Sequence, residues 1–347
     1  MNATTLSVAE PDLGLGMRKT GLHGKLLARG GALAVIAAVA GLAVPYVVPD
    51  RYTMGLLLDG IILAMLALGI GFLARHLGLI SLGHTAFFGG AAYALAIANQ
   101  QWGWGPVPAA VFGLAVGTAL ALLMGLLVVR ASGMGFLMLT LALGQALYQF
   151  CVQTVARPWT GAYDGLQVQF GPGQTFFGMP VASVMNAALF WPVVWVVLVV
   201  AAFALWLLGR ARFGQVLEGI RENEERMRFS GYGTFRPRLT AFVVSGAVAA
   251  LGGVLFALNA AYVSPDVLSF VKAGDSLIAA IVGGLGSLAG PVVGALAYIW
   301  AQAQFNTSGN LQLYTGIALV LVLVFLPGGI TGGLAKLAVR IKRRARR

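Results

Sequence analysis

Apolar runs of roughly twenty residues follow one another along most of this chain, the length an α-helix needs to cross the hydrocarbon core of a bilayer. A window of about nineteen residues places spans at 30–48, 53–74, 79–98, 107–129, 136–155, 187–208 and 239–262, followed by a glycine-rich run with Pro291 at 276–303 and a last span at 311–326. One polar stretch interrupts this series. From Arg210 to Arg238 the chain holds four of its five glutamates and seven of its arginines. Between Phe213 and Phe229 the periodicity predicts one amphipathic helix, with Phe213, Val216, Leu217, Ile220 and Met227 on one face and Glu218, Arg221, Glu222, Glu225 and Arg228 largely opposite. Glu218–Arg221, Glu222–Arg226, Glu224–Arg228 and Glu225–Arg228 stand at the spacing of helical ion pairs, and Gly231 is a stop signal. An apolar face set away from the spans fits a groove on a partner.

The basic residues orient the series. With the N-terminus in the cytoplasm, Arg18, Lys19, Lys25, Arg29, Arg75, Arg130 and the charged insertion fall inside, and Arg51, Arg157 and Lys272 fall outside. The seven basic residues between Lys336 and Arg347 belong inside as well, yet a single span at 276–303 would put them outside. The parity is restored if 276–303 is two shorter segments reversing at the string Gly283 to Pro291, where glycine permits the turn and proline suits a helix start. Broken helices survive in a bilayer where protein or water satisfies their backbone. The alternative is one glycine-rich span packed closely on a neighbour. The pattern thus predicts an all-α polytopic integral membrane protein, with about eight full spans, a re-entrant segment and both termini cytoplasmic. Leu79-Ile80-Ser81-Leu82-Gly83 faintly echoes Leu285-Gly286-Ser287-Leu288-Ala289, so a duplicated architecture is one reading and chance similarity the other.

Composition narrows the chemistry. Hydrophobic residues make up 59% of the chain and charged residues 10%, so the net charge of +12, concentrated at span ends and the C-terminus, points to anionic membrane lipid and not to nucleic acid. Cys151, the single cysteine, forms no intrachain disulfide. The first apolar run follows a segment carrying Glu10 and Asp12 and is read as a retained anchor. There is no phosphate loop, HExxH or GxSxG string, so no catalytic residue, no metal site and no cofactor is expected on this chain. Two GxGxxA strings, at 69–74 and 284–289, lie in membrane segments and are read as helix-packing sites. Ionisable groups within spans are few: Asp59 and His84, with Asp266 and Asp275 bracketing an external connection. No convergent set of charges is expected there. The polar groups expected along a largely apolar passage are Ser81, His84, Thr85, Gly284, Gly286 and Ser287. A passage with so little intramembrane charge and no nucleotide site draws its energy from a partner, and the insertion is where that partner docks.

The strings Leu79 to Tyr93, Arg212-Phe213-Gly214 with Ile220-Arg221-Glu222-Asn223, Ala261 to Pro265, and Gly283 to Pro291 occur in that order. Over residues 56–329 the chain resembles LivM-type permeases of branched-chain amino-acid ABC importers. The resemblance implies a bacterial inner-membrane subunit that pairs with a second homologous permease, two cytoplasmic ATPase subunits that bind ATP and magnesium, and an extracytoplasmic substrate-binding protein. It implies an N-terminal cytoplasmic segment (1–28), a permease domain (29–335) with an ATPase-coupling loop (209–238), and a basic tail (336–347). Phe213, Gly214, Ile220, Arg221, Glu222, Asn223 and Gly231 then fall in the coupling region. The run Met227-Arg228-Phe229-Ser230 departs from the smaller residues expected before the glycine. Urea- and amide-importer permeases look similar at these motifs, so the substrate stays open, and the rival class is a secondary carrier or channel for small solutes.

Overall fold

A computed structural model describes residues 19–48, 50–171, 173–305, 316–317 and 328–333. The helices are α1 (Lys19–Leu42), α2 (Val44–Val47), α3 (Arg51–Leu77), α4 (His84–Trp102), α5 (Pro106–Val128), α6 (Gly133–Val152), α7 (Arg157–Thr160), α8 (Val181–Val184) and α9 (Ala187–Arg210). They continue with α10 (Arg212–Glu222), α11 (Glu224–Phe229), α12 (Phe235–Ala260), α13 (Phe270–Gly283) and α14 (Ala289–Phe305). Six segments, the run Gly30–Val47 and helices α3, α5, α6, α9 and α12, are long and apolar enough to cross a membrane. The span expected at 311–326 lies, apart from residues 316 and 317, outside the described residues. So do the basic tail 336–347 and most of 1–28, whose last part already belongs to α1.

Helix α3 is the centre of the bundle. Asp50 caps it by accepting from the Thr53 amide at 2.9 Å, Gly78 ends it in the left-handed conformation, and every residue from Gly60 to Ala74 is buried. Helix α12 packs along it, and α4, α5 and α12 pack on one another through small residues. A Cβ on Gly253 would stand 1.9 Å from the Phe88 carbonyl oxygen, and one on Gly117 would meet Ala250 and Ala91. Lipid tails are as apolar as leucine, so such close backbone approach supplies the dispersion that holds membrane helices together. The string 69–74 packs as expected: Gly69 lies against Ser245 and His84, and Gly71 against Pro291. Helix α9 runs antiparallel to α1, with the Trp191 indole donating to Gly41 O at 2.7 Å and that of Trp195 to Ala37 O at 3.1 Å.

The run 276–303 is not a single span. Helices α13 and α14 are 14 and 17 residues long and fold back on each other. Tyr298 reaches Asp275, Gly294 abuts Ala279, and Gly290 abuts Gly283, the register of an antiparallel hairpin. At 1.5 Å per residue the first arm is about 21 Å long, short of the roughly 30 Å hydrocarbon core. Pro291 of α14 lies on Gly71 and Leu296 on Gly60, so α14 is antiparallel to α3 and its end returns to the level of Arg51.

All connections gather at two ends. One end is loop-rich: β1 (Leu166–Gln167) pairs with β4 (Tyr262–Val263), and β2 (Thr175–Phe176) with β3 (Met179–Pro180). Phe177 and Gly178, with φ of 47° and 85°, make the tight turn of the second hairpin. The opposite end carries Arg75, Arg130 and the insertion 210–238.

Two sequence expectations need correction. The span at 79–98 is helical only from His84, because Gly78 to Gly83 runs as non-helical backbone, buried from Ser81 onward, with Leu82 N bonded to Thr140 Oγ1 and Gly83 N to Ser81 Oγ. The insertion is two helices, not one. Asn223 leaves the helical region at φ −159° and ψ 100°, and its side chain caps α11 by accepting from Arg226 N at 2.9 Å.

Candidate functional site

The charged end is built on a clamp around Glu224. One carboxylate oxygen accepts from Arg228 at 2.6 Å and Thr234 at 2.9 Å, the other from Arg238 at 2.7 Å. Arg238, only 3% exposed, also donates to the Ala131 carbonyl between α5 and α6. One carboxylate thereby ties α11 to the base of α12 and to the α5–α6 connection. Burial pushes the Glu224 carboxyl up, but the bonds from Thr234, Arg228 and Arg238 with the Arg238 charge outweigh it, leaving the group below its ordinary value. Of the four ion pairs expected along a continuous helix, Glu224–Arg228 alone forms among the described residues. The break at Asn223 separates Glu222 from Arg226, while Arg221 is bonded to the Arg75 carbonyl and Arg228 to Glu224.

The expected coupling residues divide into two sets. Leu217 and Ile220 are buried, Phe213 is half-buried, and Gly214 sits against the Gly209 carbonyl. The apolar face of α10 is therefore packed on its own bundle and is not free for a partner. Arg221 donates to the Arg75 carbonyl at the C-terminus of α3, where a cation also meets the helix dipole. What faces outward is polar: Glu222, Asn223, Glu225, Arg226 and Gly231 are exposed. Two aromatics join them, Phe229 at 91% exposed and Tyr232 at 54%. Neither was among the expected contacts, although the unusual run 227–230 marked the place.

The six expected passage residues fall into two groups on opposite sides of α3. Ser81, His84 and Thr85 are buried within this chain. His84 Nε2 lies 3.0 Å from Ser245 Oγ, with Phe87 and Phe242 edge-on to the ring, so it joins α4 to α12. Gly284, Gly286 and Ser287 form the hairpin tip, where Ser287 bonds Thr331 and receives Gly290 N, and Thr331 donates to Gly283 O. Gly69 touches the first group and Gly71 supports the second. Two positions are about 200° apart around a helix, which explains the separation. The echo between the two strings has a structural counterpart: in each, a helix ends at a positive-φ glycine, Gly78 or Gly284, and a serine accepts an amide of the next helix start.

The structure also gathers polar groups where few were expected to converge. Asp59 is exposed on α3 within electrostatic reach of Lys272 on α13, and one turn further along α13 Asp275 accepts from Tyr298 at 2.6 Å.

Residues 52–327 match the model of a family described as the permease component of branched-chain amino acid transport systems. The chain is 27% identical to the high-affinity branched-chain amino acid transport system permease protein LivM of Escherichia coli K12, over 85% of this chain and 73% of that protein. Its identity to the protein of the same name from Salmonella typhimurium LT2 is also 27%, over 86% of this chain and 73% of that one. It is 27% identical to the autoinducer 2 import system permease protein LsrC of Escherichia coli O9:H4, over 48% of this chain and 52% of that protein. No solved structure matches it significantly. With 52–327 covering the whole bundle from the start of α3 through the hairpin, the chain is a multi-pass inner-membrane protein that belongs to the family of branched-chain amino acid transport system permease components.

Proposed function

We propose that this chain is one of two permease subunits of an importer that moves branched-chain amino acids, or related small polar solutes, inward across the membrane, driven by two separate cytoplasmic ATPase subunits and supplied by an extracytoplasmic binding protein. One observation carries the reading: a charged, aromatic-tipped surface on α10 and α11 is fastened through Glu224, Arg238 and Arg221 to α12, α5–α6 and α3 at once. A push on that surface is transmitted to three membrane helices by short, charge-assisted bonds. The excess of arginine at this end supports a cytoplasmic location for it and for the N-terminus. Ser81, His84 and Thr85 hold helices together in this reading. The path runs along the exposed flank of α3 and α13, where Asp59 and Lys272 meet the second subunit, because an ionised carboxylate against lipid is costly.

The test is reconstitution with the ATPases and binding protein that co-purify from the native host. ATP-dependent uptake of leucine that requires the binding protein supports the reading. Uptake driven by an ion gradient without ATP points to a secondary carrier, and uptake of urea but not leucine reassigns the substrate.

A further inference from the structure

Four arginines line one cleft of about 1020 Å³ at the charged end: Arg130, Arg228, Arg236 and Arg238, with Glu224, Tyr232 and Phe235 among the other walls. Glu224 is the single carboxylate there, and both its oxygens are taken by the clamp. The cationic excess is therefore not cancelled among the described residues. Arg238 is 97% buried, and among the described residues its Nε has no hydrogen-bond partner, an arrangement that costs free energy. Arg130 is exposed, its guanidinium 5.5 Å from the centre of the Phe235 ring, and Arg236 is exposed one residue further on.

From these observations we infer that the cleft binds the phosphate of an anionic phospholipid. The location selects a lipid over a soluble anion. The cleft lies where α5 ends and α12 begins, the level at which two spanning helices leave the hydrocarbon, and its aromatics suit the interface. Directly beneath Arg130, α5 presents Leu122, Leu123, Leu126 and Leu127, exposed by 44 to 68%, as an apolar track that an acyl chain can follow. Arginine matches phosphate with paired donors, and an anionic leaflet strengthens each contact. A lipid held here would brace the clamp beside the coupling helices. The assignment to the cytoplasmic leaflet rests on the orientation proposed above; the lipid site itself rests on the cleft.

The experiment is native mass spectrometry of the full-length chain released from nanodiscs containing phosphatidylcholine with a minority of phosphatidylglycerol. The wild type is expected to retain phosphatidylglycerol selectively. The Arg130→Gln, Arg236→Gln double variant, checked for fold by circular dichroism, is expected to hold it about thirtyfold more weakly. Inorganic phosphate should not displace the lipid, since it lacks the chains. Equal retention by the variant overturns the inference, as does displacement by inorganic phosphate. A third arm measures phenylglyoxal modification of Arg130 and Arg236: protection by phosphatidylglycerol supports the site, whereas protection by the ATPase subunits in lipid-free detergent would make the cleft a protein interface. None of these readouts depends on transport, so the lipid site and the importer reading fail separately.

Discussion

At the scale of single residues, the fold depends on side chains that are missing as much as on those present. Gly253 exists so that α12 can lie against the backbone of Phe88; a methyl group would be 1.9 Å from a carbonyl oxygen that cannot move alone. Gly253→Ala is expected to cost about 1–3 kcal/mol or more by overpacking, seen as a lower midpoint of thermal unfolding in detergent. Gly135→Ala is the control. Nothing lies within 4 Å of its Cβ position, and alanine gains up to about 1 kcal/mol in a helix, so its midpoint should hold or rise. Glu224 makes a different prediction. Its carboxyl is held below the ordinary 4.5, so its contribution is fully present above that value and fades as pH falls through the lower value of the folded state. Acidification below pH 4.5 should therefore loosen α11 enough for an acid-tolerant arginine-directed protease to cut at Arg226 and Arg228, whereas Glu224→Gln should be cut already at neutral pH. Cleavage that ignores both changes would show that the clamp does not hold α11. The clamp's long-range members, Thr234, Arg238 and Ala131, were not legible in the sequence, because no periodicity relates positions so far apart. The helix pair Glu224–Arg228 was.

At the scale of elements, spans were readable because each is a long apolar run whose edges carry charge, and the six helices follow the expected ranges closely. Two departures, at 79–83 and at Asn223, have local causes. Leu79 to Gly83 is as apolar as a helix start, and only the partners Ser81 and Thr140 reveal that its backbone is satisfied otherwise. The reversal inside 276–303 was legible from glycine, proline and charge parity together. The break at Asn223 was legible too: an N-cap residue, then Glu224 and Glu225, then Arg226 and Arg228 is the signature of a new helix. The unbroken apolar stripe masked it. That stripe faces the bundle, which moves the expected partner contacts onto Glu222, Glu225 and Phe229. Glu222→Arg with Glu225→Arg, both exposed and outside the ion pairs of the described residues, should lower substrate-stimulated ATP hydrolysis and uptake together in the reconstituted complex while the unfolding midpoint stays put. Unchanged coupling would remove this surface from the ATPase interface. Arg221 is unsuitable for that test, because its bond to Arg75 makes any substitution a change to the fold as well.

For the whole molecule, the proposed function raises the question of which flank of the bundle would meet a second subunit. Helices α3 and α12 are enclosed, with 83% and 72% of their spanning windows buried, whereas α5, α6 and α9 bury a third or less and have flanks of leucine, methionine and valine suited to lipid. Asp59 is the exception on α3. It is exposed well inside a spanning helix, and Lys272, within its electrostatic reach, lies on the same α13–α14 hairpin as the Asp275–Tyr298 pair. Sequence alone counted these charges as scattered because they come from segments more than two hundred positions apart; the antiparallel packing of α14 on α3 brings them onto one flank. A charged flank facing hydrocarbon would be expensive, so under the proposed function that flank is where a water-lined subunit seam belongs. In a Cys151→Ser background, Asp59→Cys should therefore react with a membrane-impermeant maleimide applied from the loop-rich side, and addition of the substrate-loaded binding protein should slow the reaction. A lipid-soluble maleimide reacting while the impermeant one does not would place Asp59 against lipid and move the passage elsewhere. Labelling at Phe177→Cys from the same side and at Tyr232→Cys from the opposite side fixes the orientation in the same preparation, so a wrong assignment of the two ends would be separated from a wrong assignment of the seam.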